Sequence, residues 1–337
     1  MFGSSPKSAT GIHVADRAVH IVELARRRSE TRLAHAVSLE LPESLRPNRL
    51  ADPAAAAALR AALEQARLDR GFAYRHCYYA LDGGAFFLKR RPAIPDDPDE
   101  TRQLLRWEAT QVLADDLSEY VIDFLLTRRH GFLVAARRAA IDVVTATLRQ
   151  AHIARPGFDV LPFALCNALE LSGAATEEGV EILADLGADQ ATLIALADGE
   201  LEDVEICPYR RRWGVVAPER PSPRAARAGS EGLFDEVEAD DTAGEVVGHG
   251  ERCRMVAEAI ERMAQAQGGE RPGRLWLTGA ADEVWIDGLS GTGLPRPRIL
   301  DALAGMELSA PASRDGAAPA GALAAAAGLA FRGLAEA

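Results

Sequence analysis

The sequence predicts an α/β protein built as two related lobes, with a small α/β subdomain inserted into the first. Three observations carry this expectation. An alternating apolar run broken by a polar bend opens each half, at Gly11 to Leu24 and again at Glu181 to Ile206. Between them, after Pro92 and Pro95, lies a compact stretch with its own helix and strand pattern. The chain has 337 residues, 48% of them hydrophobic, enough to bury the cores of two such lobes.

In the first half, Ile12, Val14, Val19, Ile21 and Leu24 alternate around Asp16-Arg17, which reads as a β-hairpin, and Thr31 to Leu39 supplies a third strand. Asp52 and Pro53 then give an N-cap and a first-turn proline to a helix running through Leu59, Leu63, Ala66 and Leu68 and closed by Gly71. His76 to Leu81 and Phe86 to Arg90 read as two more strands around Gly83-Gly84. In the inserted stretch, Asp97, Pro98 and Glu100 form a capping-box-like helix start, with Leu104, Leu105, Ala109, Val112 and Leu113 as the buried stripe. Tyr120 to Thr127 and Phe132 to Ala136 pair around Arg129-His130-Gly131, and a helix follows through Ile141, Val144 and Leu148. Phe158 to Leu161 and a helix from Pro162 to Leu171 lead back to the first lobe.

The second half repeats the opening grammar. Glu181 to Leu186, Thr192 to Ala197 and Leu201 to Ile206 are strands, the last two joined by Asp198-Gly199. From Pro208 to Gly250 the periodicity stops. Arginines 210, 211, 212, 220, 224 and 227 stand among prolines and are followed by an acidic run, so a mobile inserted loop is expected. A helix from Glu251 to Gln267, a strand at Leu275 to Leu277, a turn at Gly279 and an Ala-rich helix then close the second lobe. The expected division is 1–91 for the first lobe, 92–154 for the insertion, 155–178 for the return helix and 179–337 for the second lobe, with the loop at 208–250.

Composition narrows the function. The net charge of -12, from 38 basic and 50 acidic side chains, argues against nucleic acid and against an anionic lipid surface. Cys77, Cys166, Cys207 and Cys253 are dispersed, as are the seven histidines, which points to reduced thiols and to no zinc site. The opening MFGSSPKSATG has no apolar run of a secretory signal, and Ala320 to Leu334 is shorter than the ~20 residues of a span, so a cytoplasmic protein is expected. No G-x-S-x-G, no G-K-[ST] loop and no His–carboxylate cluster appears. His13, alone on an apolar strand, reads as a core or turn residue satisfied by its neighbours.

Several blocks in order carry a family resemblance. GIHVADRAVHIVEL resembles GIDIGSSAVKVVEL of the PilM family, and RWEATQVLADDLSEYVIDF, from Arg106 to Phe124, is similar to that family's RWEAEQYLPFPLEEVVLDF. LVAARRAAIDVV, FDVLPFALCNALE, DLGADQATL and AAAAGLAFRGL follow the later blocks, so only Pro208 to Gly250 falls outside. The resemblance implies a two-lobe actin-like (ribonuclease H-like) fold with an SHS2-like insertion, in the class of type IV pilus assembly proteins, related to FtsA and to the secretion component GspL.

It also implies where nucleotide would lie, and there the sequence departs from the family. The family's metal-holding Asp falls on His13, and its Gly-Ser-Ser on Ala15, Asp16 and Arg17. Asp16 brings negative charge to a phosphate position, whereas Arg17 could pair with phosphate. At the second bend Asp185, Gly187 and Thr192 match, the family's Gly-Gly falls on Tyr209-Arg210, and its adenine loop is reduced to Gly279-Ala280-Ala281. A scaffold without catalytic residues, metal or cofactor is expected. The alternatives are an ATP- and magnesium-binding relative and an FtsA-like cytoskeletal protein. By the same resemblance the partner is the N-terminal peptide of a PilN-like single-span membrane protein, with self-association also open and the membrane reached only through the partner. The expected contacts, in a groove between the first lobe and the insertion, are Leu88 and Arg90 on the strand leading into the insertion and Arg106 and Trp107 on its first helix.

Overall fold

The computed structural model describes the chain except residues 1–6, 16, 28–29, 43–51, 93–96, 114–115, 177, 212–244, 268, 270 and 315–318; for 210–211, 245–246 and 308–314 only the backbone is described. Three strands open the chain, β1 (Lys7–Ala15), β2 (Ala18–Arg27) and β3 (Glu30–Glu40), followed by α1 (Pro53–Arg70) and β4 (Cys77–Leu81). The Asp52 carboxylate accepts from the Ala54 amide at 2.9 Å, and Gly71 ends α1 at φ 78°, so both expected caps form. The insertion comprises β5 (Phe86–Pro92), α2 (Pro98–Val112), β6 (Tyr120–Leu126), β7 (His130–Arg137) and α3 (Arg138–Gln150). Here too the cap is the expected one, with Asp97 accepting from the Glu100 amide at 2.8 Å. β8 (Gly157–Val160) and α4 (Leu161–Leu171) lead to β9 (Val180–Leu186), β10 (Gln190–Ala197) and β11 (Glu200–Pro208). The rest is β12 (Arg210–Arg211), β13 (Glu245–Val246), α5 (His249–Ala266), β14 (Arg274–Gly279), α6 (Glu283–Ser290), β15 (Arg298–Ile299), β16 (Leu308–Arg314) and α7 (Ala324–Glu336).

The two large sheets repeat one topology. The first runs β16-β3-β2-β1-β4-β8 and the second β11-β10-β9-β14-β15. In each, three antiparallel strands are followed by a parallel partner beside the first strand and then another parallel strand. Strand faces sort into layers. Ile12, Val14, Val19 and Ile21 pack with α1 and α3; Ile182, Ala184, Leu193 and Ala195 pack with α5 and α6. The opposite faces of both sheets share one cluster with α4 and α7, which form the middle layer.

That middle layer corrects an expectation. The Ala-rich α7 packs on α4 and on β1, β2 and β4, so it closes the first lobe, and β16 joins the first sheet beside β3. Small side chains explain the placement. A methyl on Gly328 would lie 1.8 Å from the Ala164 carbonyl oxygen, and one on Gly11 would lie 2.0 Å from the Ala326 oxygen, so α7 sits backbone to backbone on α4 and β1.

The small sheet runs β5-β7-β6. All seven residues of β5 pair with β7, so the expected boundary at residue 92 cuts through this sheet, and β4 and β5 belong to different sheets. Two leucines expected inside are outside. Leu68 is 72% exposed because it lies half a turn from Leu59, Leu63 and Ala66, and Leu104 is 44% exposed, a quarter turn from Leu105. Of the expected loop at 208–250, residues 212–244 lie outside the described residues; β12 and β13, at its ends, pair with each other.

Candidate functional site

The two hairpin bends stand at equivalent places. His13 on β1 pairs across to His20 on β2, and Asp185 on β9 pairs across to Thr192 on β10, with the same spacing around each bend. By strand alternation each pair shares the face of its sheet that looks into the core between the lobes, with Ala9 and Val22 in one case and Leu183 and Ile194 in the other. Asp16 lies outside the described residues, and Arg17 is exposed at the first bend.

The first bend presents buried imidazoles. His13 is 2% exposed and His20 6% exposed, their rings 6.1 Å apart. Neither nitrogen of His13, nor Nδ1 of His20, has a hydrogen-bond partner among the described residues, so the expectation of a satisfied core histidine fails. Burial lowers His13 to about 3, with the neighbouring His20 adding to the effect, and lowers His20 to about 4. Both rings are therefore neutral at physiological pH. A neutral imidazole can ligate a metal or accept a proton, but these rings have no described acid or charge beside them to support either task. Among the described residues no group of three or more His, Cys, Asp or Glu is placed to hold a metal ion.

At the second bend Asp185 is buried and engaged. Its Oδ1 accepts from the Thr278 hydroxyl at 2.8 Å, on the neighbouring strand β14. Gly279 turns there at φ 70°, and a side chain would come within 2.7 Å of the Leu186 carbonyl and 3.0 Å of Asp185, so the glycine serves a tight approach of β14 to β9. Gly187 donates its amide to Gln190 at 2.9 Å and closes the turn, and Thr192 is buried within the sheet. Asp185, Gly187, Thr192 and Gly279 thus come together, but as parts of a strand-to-strand joint.

Around Tyr209, which the sequence comparison flags, stand side chains that it does not. Tyr209 is 1% exposed and packs near Trp285, ring centres 5.9 Å apart, with the Arg252 guanidinium 5.1 Å above its ring. Arg252 also donates to the Ala188 carbonyl at 3.1 Å, pinning the second bend to α5. His249 meets Trp285 edge-on at 4.7 Å. Of these groups, Tyr209 stands where the family pattern has a glycine. Their role could be foreseen only from the Tyr209 substitution.

The four expected partner contacts are not assembled into one groove. Phe87, Lys89 and Arg91 of β5 face α2, where Phe87 packs with Leu105 and Ala109, and Glu108 pairs with Lys89 at 2.7 Å and with Arg91. Strand and helix are thus closed onto each other. The ion pairs hold the Glu108 carboxyl below its ordinary value despite the opposing effect of burial. Leu88 and Arg90 face the other way. Arg90 donates to the Glu202 carbonyl at 2.6 Å and lies 3.6 Å from Asp203, both on β11. Arg106 lies over the Phe124 ring at 5.9 Å, while Trp107 is 57% exposed on the flank of α2 that carries Leu104.

No protein-family model matches the chain, and no curated protein matches it. Among solved structures it is similar to a PilM–PilN type IV pilus biogenesis complex, with a TM-score of 0.68 at 20% identity over 97% of this chain and 98% of that one. More distant are a protein with an actin-like ATPase fold and unknown function from Bacteroides thetaiotaomicron VPI-5482 (TM-score 0.45, 10% identity, 91% and 92% covered) and the cytoplasmic domain of EpsL, an inner-membrane component of the type II secretion system of Vibrio cholerae (0.44, 9%, 98% and 96%). The first of these likenesses, with the sheet order repeated in both halves, gives this chain a two-lobe actin-like fold.

Proposed function

We propose that this protein is an actin-like scaffold of a type IV pilus or related secretion assembly, working without nucleotide chemistry and holding the N-terminal peptide of a PilN-like single-span membrane protein. The observation that carries the reading is the contrast between the two bends. The first puts two buried, neutral imidazoles where the family pattern has a metal-holding carboxylate, that of His13 without a partner among the described residues, and in the second Asp185 Oδ1 accepts from Thr278. A nucleotide needs exposed amides and a cation at these places, and Tyr209, which replaces a glycine of the family pattern, is buried with Trp285 in the cluster against α5 and α6. The residues present do not fit ATP and magnesium.

The partner is suggested by the full-length likeness to the PilM–PilN complex. No described helix is long and apolar enough to cross a membrane, and in this reading the partner supplies the membrane attachment. β5 is an outer strand of the small sheet, and Leu104 and Trp107 form an exposed apolar patch beside the Glu108 that β5 grips. An extended peptide added along β5 would gain main-chain hydrogen bonds and cover that patch. The test is a titration of the partner's N-terminal peptide followed by tryptophan fluorescence. Binding should shift the emission of wild type, and Trp107→Ala should weaken affinity by about tenfold or more. Full affinity in Trp107→Ala would move the site elsewhere, and no binding to any such tail would overturn the platform assignment.

A further inference from the structure

The turn between β6 and β7 reaches across to the second lobe. Arg128 pairs with Glu200 through its guanidinium and donates its backbone amide to the same carboxylate at 3.2 Å. Arg129 lies 2.5 Å from Asp198 and 3.1 Å from Glu202, and His130 Nδ1 lies 3.3 Å from the other Glu202 oxygen. Arg90, from β5, adds its bond to the Glu202 carbonyl. Every acceptor belongs to the β10–β11 hairpin, and β11 is the outer strand of its sheet. Beneath the charges, Phe132, Leu88 and Leu125 of the small sheet share one apolar cluster with Leu196, Leu201 and Val204 of that hairpin.

The charges are unequal in burial. The Arg128 and Arg129 side chains are 78% and 50% exposed, so their pairs are individually weak, whereas the Glu202 side chain is 4% exposed and depends on its partners. A buried carboxylate held this way gains little net free energy over its hydrated state, because opening returns it to water. Such a contact fixes a position firmly and still releases. We propose that the inserted subdomain is a clasp across the two lobes, closed around Glu202 by Arg129 and Arg90 and released by competing ions. It follows that the angle between the lobes is set from the insertion, the same subdomain on which a partner peptide is proposed to sit; the clasp itself does not rest on that reading.

Hydrogen exchange on the intact protein tests it, with the Arg128 amide as a direct reporter because its acceptor is in the other lobe. Raising sodium chloride from about 0.05 M to about 0.5 M should speed exchange in residues 127–130 and 198–203 about tenfold and leave β1 and β9 unchanged. Glu202→Gln should show the faster exchange already at low salt and lose the salt response. Glu205→Gln, on the same strand as Glu202, which removes a pair with Arg262 of α5, should behave as wild type. Should Glu202→Gln fail to fold, Arg129→Gln, half exposed, carries the same expectation. Exchange indifferent to salt in wild type, or altered equally by Glu205→Gln, would overturn the clasp.

Discussion

Acid should loosen this protein through the His13–His20 pair. Folded, the rings are held at about 3 and about 4 by burial, whereas in the unfolded chain each takes a proton near about 6.5. Both folded values are depressed, so between them and about 6.5 the unfolded state binds more protons. Their contribution is intact above about pH 6.5 and is lost as the pH falls toward the folded values. Each fully unmatched proton is worth about 1.4 kcal/mol per pH unit, and because the unfolded rings are only half protonated at about pH 6.5, the two together remove about 3 kcal/mol between pH 6.5 and pH 5. Urea unfolding followed by tryptophan fluorescence at a series of pH values measures this, and His13→Leu isolates it. The variant's stability should fall less steeply, by about 1.4 kcal/mol per pH unit, since carboxylates titrate alike in both proteins and cancel. Equal slopes in wild type and variant would refute the reasoning, for they would mean that His13 reaches water or a partner in the folded state.

Two further outcomes follow from the packing. Gly328→Ala would set a methyl 1.8 Å from the Ala164 oxygen where contact needs roughly 3.3 Å. α4 and α7 must part, at about 3 kcal/mol, and Tm should drop by at least about 4 °C, while Gly84→Ala, with no atom within 4 Å, should change it by less than about 1 °C. Deleting Pro218 to Gly244 should lower Tm by less than about 3 °C, because β12 and β13 already bring residues 211 and 245 together; a fall above about 10 °C would show that the segment contributes to the packed core.

Local features of this chain were legible because their causes are local. Asp52 and Asp97 cap helices with the atoms their positions suggest, and the two hairpins announce themselves by alternation around polar bends. The site was legible only in outline. His13 is at the first bend as read, yet nothing in the strand pattern tells whether a buried ring finds a partner, and among the described residues it has none. What the sequence withheld is long-range. The Ala-rich α7 gives no sign of which lobe it joins, since alanine packs against either; the choice is made by Gly328 and Gly11, whose meaning appears only once α4 and β1 are beside it. Arg90 was read with α2 because the two are close in the chain, but on β5 its side chain faces away from Lys89 and Arg91 and so reaches Glu202, more than a hundred residues later. The acidic β11 opposite the arginines at 128 and 129 was the available signal, one of charge complementarity rather than of motif.

The central claim is that this actin-like fold has given up its nucleotide. Calorimetric titration of the intact protein with ATP and magnesium measures that directly. The account predicts no saturable heat up to about 1 mM ATP, whether or not Asp185 is replaced by alanine. Saturable binding with a Kd in the micromolar range, lost in Asp185→Ala, would contradict it.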